Sequence, residues 1–295
     1  MPPDPPLLLA VPNVSEGADA ALIEALGGSF GAARLLDVHA DADHNRSVFT
    51  LAGEQGELAG GLVQGAAAAV EAIDLRAHAG VHPHVGAIDV IPVVHLDAAH
   101  RGAAVAEALT AAARMGDELE LPVFLYGALA TRPEHAERAE LRRGGPQELA
   151  RRMEAGELQP DFGPPRAHPS AGAALVTARP PLVAFNLDLD SDDLELARRI
   201  AAGIRESGGG FPGVRAIGLQ LQARGRAQVS MNVHDHAAVP LRLLVEAVRE
   251  QAGVAEAELV GLAPRAAFEG FPEDVPLRGF DPERHLIENS LRSLR

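Results

Sequence analysis

The sequence predicts an α/β protein of the α+β type, built as two tandem halves that each run β-α-β-β-α-β. Three observations carry this reading. Short apolar, β-branched runs alternate with longer Ala- and Leu-rich runs of helical spacing, the same order of elements is read twice, and a stretch over 159–181 rich in Pro, Gly and Ala separates the two readings. The halves are accordingly expected at residues 1–180 and 181–295. At 295 residues the chain can bury a large core and sits where one core gives way to two.

Leu7 to Val11 is an apolar run closed by Pro12 and Asn13, a strand, and Ala20 to Leu26 follows with helical spacing until Gly27 and Gly28 stop it. Leu35 to Asp41 and Ser47 to Ala52 read as strands joined by the polar Ala42-Asp43-His44-Asn45-Arg46, a hairpin connection. Leu58 to Ile73 is Ala-rich and free of proline, hence a helix. Ile88 to Val94 is β-branched and reads as a strand, although Pro92 argues against a regular central ladder there. A helix over Ala98 to Met115 and a strand over Val123 to Tyr126 are added to this half. In the second half, Leu182 to Leu189 alternates as a strand and Asp193 to Glu206 is an amphipathic helix broken by Gly208, Gly209 and Gly210. Ile217 to Leu221 and Ala227 to Val233 form a hairpin around Ala223-Arg224-Gly225-Arg226, Leu241 to Gln251 is helical, and Glu258 to Leu262 is the last strand. Two split β-α-β units of this kind resemble a pair of ferredoxin-like subdomains.

Composition narrows the function. With 41 acidic against 26 basic residues the formal charge is −15, which argues against nucleic acid or an anionic membrane as partner. Every basic residue is Arg, a pattern that codon bias also produces, so an anion site here must use guanidinium forks suited to carboxylates. The absence of cysteine removes disulfides, thiolate nucleophiles and Cys-bound zinc, and fits a reducing compartment. The opening MPPDPPLLLAVPN lacks a basic n-region, and no segment reaches the ~18 apolar residues of a membrane helix, so the expected setting is the cytoplasm.

The densest polar cluster is AHAGVHPHVGAID over 77–89, a Gly- and Pro-rich loop with His78, His82 and His84 ahead of a strand. Three readings compete for it. A solvated loop with idle histidines is the bland one, and three histidines in seven residues, framed by Gly80, Pro83 and Gly86, weigh against it. A metal site would use His82 and His84 on one side of an extended segment, with Asp89 or His78 completing it, but the position two residues after His84, where metal hydrolases place a carboxylate, is Gly86. Metal-free acid/base catalysis is the third, because an imidazole gives and takes a proton near neutrality. Elsewhere, Ser15 and Glu16 of VPNVSEG read as capping residues of the first helix or, with Asn13, as an anion-receiving turn. Asn45 and Arg46 sit at a hairpin tip, and Tyr126, the only tyrosine, reads as a half-buried packing residue. The stretch from Gln159 reads as a linker, against which stands its concentration of Asp161, Phe162, Gly163, Arg166, His168 and Arg179.

Nine segments in order, VPNVSEG, DHNRSVFTLAG, HPHVGAIDVIPV, PVFLYGALA, LRRGGPQEL, PDFG, GAALVTARPPLVAFNLDLD, AIGLQLQARGRAQVSMN and LVGLAPRAA, make the chain resemble the formiminotransferase family along nearly its whole length. The resemblance implies two α/β subdomains meeting at an elongated cleft, a homodimer, N-formimidoyl-glutamate as donor and tetrahydrofolate as acceptor, with no metal. Some relatives carry a fused cyclodeaminase, for which this chain ends too early. The family's catalytic histidine falls on His82, and His84, where relatives often carry Arg, becomes a substrate-side residue. The folate-contacting stretch falls on Asp161, Phe162, Gly163, Pro164, Pro165, Arg166, Ala167, His168, Pro169, Ser170, Ala171 and Gly172. Arg46 and Arg179 are the candidates for the glutamyl carboxylates, alongside Asn13, Asn45 and His84 as substrate-binding residues. A formyl-handling folate enzyme and a non-catalytic folate-binding protein are the alternatives.

Overall fold

The computed structural model describes residues 5–292, which divide into two compact units between Pro180 and Pro181. In the first, β1 (Leu7–Ala10) and β2 (Asn13–Val14) form one interrupted strand, followed by α1 (Ala20–Gly27), β3 (Arg34–Asp41), β4 (Arg46–Glu54), α2 (Leu58–Ala72), β5 (Ile88–His95), α3 (Arg101–Glu118) and β6 (Val123–Leu125). After them come α4 (Arg138–Leu141), α5 (Gly145–Glu154) and β7 (Ala174–Arg179). The strands lie in the order β3, β4, β1 with β2, β5, β7, β6, antiparallel except that β7 runs parallel to both β5 and β6.

The second unit holds β8 (Val183–Leu189), α6 (Leu194–Ile204), β9 (Val214–Leu221), β10 (Arg226–Val233), α7 (Leu241–Arg249) and β11 (Val254–Val260). Its four strands are antiparallel in the order β11, β8, β10, β9. Counting β1 and β2 as one strand, the first four strands of unit 1 follow the same order, with β7 and β6 added beyond the fourth. The two sheets thus make a mixed α/β molecule, and the β-α-β-β-α-β run of elements recurs as the apolar periodicity predicts.

Packing explains why β5 is buried from end to end. Ile91 and Val93 point into a core built from α1, α2 and α3, where Leu62, Ala66, Ala108 and Met115 are fully enclosed. Val90 and Leu175 point the other way, into a second core with Phe124, Leu141, Leu149 and Met153 contributed by β6, α4 and α5. Alternate side chains therefore meet apolar partners on both faces, as in a strand covered by two layers. Glu107 of α3 fixes α2 against it: its buried carboxylate accepts the backbone N–H groups of Gly56 and Ala59, each at 2.7 Å, and so answers the open donors at that helix start.

One expectation holds and one needs correction. Pro92 lies in a strand whose antiparallel ladder is interrupted where it falls: the break between β1 and β2 puts Val11 and Pro12 opposite it, and its carbonyl still accepts the Val11 N–H at 3.0 Å. The stretch over 159–181 is not a linker, since residues 174–179 form β7 between β5 and β6, and Phe162 bridges to Val123.

Candidate active site

Three loops meet at one end of the first sheet: the turn after β2, the β3–β4 hairpin tip, and residues 77–87 before β5. Ser15 ties the first to the third, its N–H donating to the Ala87 carbonyl at 2.9 Å and its hydroxyl to the Gly86 carbonyl at 2.7 Å. The capping expectation shifts accordingly, because Asp19 caps α1 by accepting the N–H groups of Ala21 and Leu22, both at 3.0 Å. Glu16 accepts the N–H groups of Ala18 and Asp19 instead. Asn45, in the left-handed region at φ 47°, joins all three loops: its Oδ1 accepts the Gly17 N–H at 2.9 Å and its Nδ2 donates to the Ala79 carbonyl at 2.9 Å, with His78 Nδ1 at 3.2 Å. Gly17 is obligatory here, since a Cβ would stand 2.2 Å from the Asp41 carbonyl oxygen and 2.4 Å from the Arg46 nitrogen.

His82 is half-buried at the centre of this assembly. Its Nε2 lies 2.8 Å from Arg46 Nη1 and its Nδ1 2.9 Å from the Pro83 carbonyl. A guanidinium can only donate and a carbonyl can only accept, so the partners assign one tautomer: Nδ1 carries the proton and Nε2 offers a lone pair. Burial, then the positive charge of Arg46, with Arg142, His44 and Arg138 beyond it, hold His82 well below 6.5. The ring is therefore neutral at neutral pH and its basic nitrogen is Nε2. The His44 ring stands 5.7 Å from it, centroid to centroid, and His84 turns away, its Nδ1 3.1 Å from the His82 carbonyl and its ring edge-on to His78 at 4.3 Å.

Arginine dominates the surroundings. Burial and the like charges of Arg142 and Arg138 lower Arg46 to about 10, opposed by Asp89 and Asp41. Arg142 is buried and paired with the buried Asp89, whose other oxygen accepts the Val85 N–H at 2.8 Å. Burial and Arg138 also lower Arg179 to about 10, against the pull of Tyr126. Arg138 is thus felt by His82, Arg46, Arg142 and Arg179 together. Among the described residues no cluster of three His, Asp or Glu side chains could hold a metal ion, and the His82 lone pair faces a cation.

Comparison with known proteins places the chain. A family profile described as the formiminotransferase domain, N-terminal subdomain, matches residues 7–179, and one described as the formiminotransferase domain matches 184–270. The chain belongs to the formiminotransferase family. It is 38% identical to a glutamate formimidoyltransferase of Streptococcus pyogenes over 95% of this chain and 97% of that one. A glutamate formimidoyltransferase of Thermoplasma acidophilum is 34% identical, with 97% of each chain covered. The formimidoyltransferase-cyclodeaminase of Gallus gallus is 38% identical over 88% of this chain but only 51% of its own length.

Other candidate residues of this formiminotransferase chain fall as follows. Asn13 on β2 turns its amide back to the Val11 carbonyl at 2.9 Å. The carboxylate of Asp161 is already engaged by the Leu125 N–H at 2.8 Å, by His135 and by the Thr131 hydroxyl, so it fixes its own loop. Within 163–172, Gly163, Pro165, Arg166 and Pro169 are exposed, whereas the backbone of the tight turn from His168 to Gly172 packs beside the loop that carries His82: the Ser170 carbonyl accepts the Leu75 N–H at 2.8 Å and the Ala171 carbonyl the Ala87 N–H at 2.9 Å. Arg179 ends β7, opposite Val94. Sequence reasoning missed His44, Arg138 and Arg142. The run LRRGG was the available signal for Arg142, but nothing local tells that it reaches Asp89.

Proposed function

We propose that this protein transfers the formimidoyl group of N-formimidoyl-L-glutamate to N5 of tetrahydrofolate, with His82 as the proton carrier. The reading is supported by full-length similarity to proteins named glutamate formimidoyltransferase, and the observation that carries it to a residue is the neutral His82 ring with its basic nitrogen set among arginines. The folate N5 lone pair bonds to the cationic amidine carbon, and the C=N pair moves onto the terminal nitrogen, neutralising it. His82 Nε2 takes the N5 proton. The same proton then passes to the glutamate nitrogen as the C–N bond breaks, the terminal nitrogen re-forms its double bond to carbon, and glutamate leaves as a free amine. One imidazole suffices for both transfers because it is base in one step and acid in the next.

The arginines suit the glutamyl carboxylates: Arg46 beside the base and Arg179 at the end of β7, with Arg138 exerting its charge on both. Asn45 and the 168–172 turn hold the loop that carries His82. The family resemblance further supports a homodimer working in the cytoplasm, which sedimentation and fractionation test.

The deciding assay offers purified protein N-formimidoyl-glutamate with and without tetrahydrofolate, and N-formyl-glutamate in parallel. Consumption of the formimidoyl donor only with folate present is expected, and folate-independent hydrolysis or preference for the formyl donor would reject the reading. His82→Ala should lower kcat by roughly 10²- to 10⁴-fold with an unchanged unfolding midpoint. Near-wild-type turnover in that variant removes His82 from the mechanism.

A further inference from the structure

We propose that Arg46 is a carboxylate-operated cap on the base: in the free site its guanidinium occupies Nε2 of His82, and the anionic end of the substrate draws it off and delivers the imidazole to the reaction. The inference rests on the proposed transfer for its purpose, and on donor and acceptor geometry for its substance. With Nδ1 engaged at the Pro83 carbonyl and Nε2 at Arg46, the ring has no lone pair to spare. A base that must take a proton at Nε2 needs that position vacated.

Arg46 is poised to leave. Among the described residues its side chain has no carboxylate in ion-pair contact, and its hydrogen bond goes to a neutral ring. Asp89 and Asp41 act on it only from a distance, Asp89 being paired with Arg142 and the Val85 N–H, and Asp41 accepting the His44 N–H at 2.8 Å. The bond to the imidazole is a single one with only its donor charged, whereas a carboxylate brings the opposite charge and a second oxygen for a bidentate pair, so an arriving carboxylate outcompetes the imidazole for the guanidinium. Arg138 adds to the attraction, half-buried, its guanidinium without a hydrogen bond or ion pair among the described residues. The cap therefore opens for a ligand bearing a carboxylate at this point and stays shut for an amidine that bears none.

Nitrogen-15 histidine NMR of the whole protein tests this without folate or turnover, using glutarate as the dicarboxylate. The charged and titratable groups facing His82 are Arg46 and His44 on the hairpin and Arg138 and Arg142 from α4 onward. Saturating glutarate should raise the His82 pKa by about one pH unit and shift its Nε2 resonance in the wild type. In Arg46→Gln the free-state pKa should already be raised and glutarate should leave it in place. An unmoved wild-type His82, or an equal response in both proteins, overturns the proposal. Should Arg46→Gln not fold, the wild-type Nε2 resonance alone decides, because an unchanged signal overturns the cap. In kinetics, the acid limb of kcat should lie above that of kcat/KM in the wild type and coincide with it in Arg46→Gln. A protein that shows the NMR response but transfers nothing keeps the cap and loses the activity, whereas an active enzyme with an unresponsive His82 does the reverse.

Discussion

Arg142 shows how one side chain can be structural and electrostatic together. It neutralises Asp89 inside the protein, and it stands among the charges that keep His82 unprotonated. Replacing Arg142 with Met strands a buried carboxylate, so a loss of about 3–5 kcal/mol in folding stability is expected by denaturant titration. A loss under about 1 kcal/mol would mean that Asp89 is satisfied by other means. At this scale the site was half legible. His82 announced itself through local density, and Arg46 through its neighbour Asn45 in a motif, because both signals lie within a few residues. Arg138 and Arg142 lie more than fifty residues from His82 in sequence, and no pattern in the sequence alone shows that α4 brings them back to it.

At the scale of elements, the site depends on three loops pressed closer than side chains permit. Gly17→Ala should push the first loop off the hairpin, since the new Cβ meets backbone and not a yielding side chain. The expected result is a folded protein with turnover reduced about tenfold or more, through displacement of Asn45 and Arg46. A variant with wild-type kcat and KM would show that the loops have slack. Periodicity found the long helices and the antiparallel strands because half-buried elements alternate or repeat. It failed at β7, where ALVTAR is covered on both faces and does not alternate, and where Pro and Gly on either side read as a linker. No expectation covers α5, whose start Gly144-Gly145-Pro146 carries break-type residues although proline is well placed in a first helical turn.

For the whole molecule, net charge and local charge have opposite signs where it matters. A formal charge of −15 repels polyanions at long range, while the proposed function has a set of arginines around one imidazole receive small carboxylates at short range. The same cations shape the acid stability of the fold. His82 titrates below 6.5 in the native state and near 6.5 when unfolded, so the unfolded chain binds the proton first. Its contribution is therefore intact above pH 6.5 and is lost as pH falls from 6.5 toward the native value. Denaturation midpoints measured across that window should decline more steeply in the wild type than in His82→Ala, and parallel curves would contradict the lowered pKa. The doubled architecture was readable because each half repeats its order of elements, and β6 was read as a strand with them, whereas β7 and the parallel pairing that sets it between β5 and β6 depend on residues distant in sequence.

The lone tyrosine has a practical corollary. With no tryptophan in the chain, ultraviolet emission comes essentially from Tyr126, whose ring is felt by both Arg142 and Arg179. Nature has thus installed a single fluorophore beside the cationic wall, and a label-free titration can watch an optically silent anion arrive there.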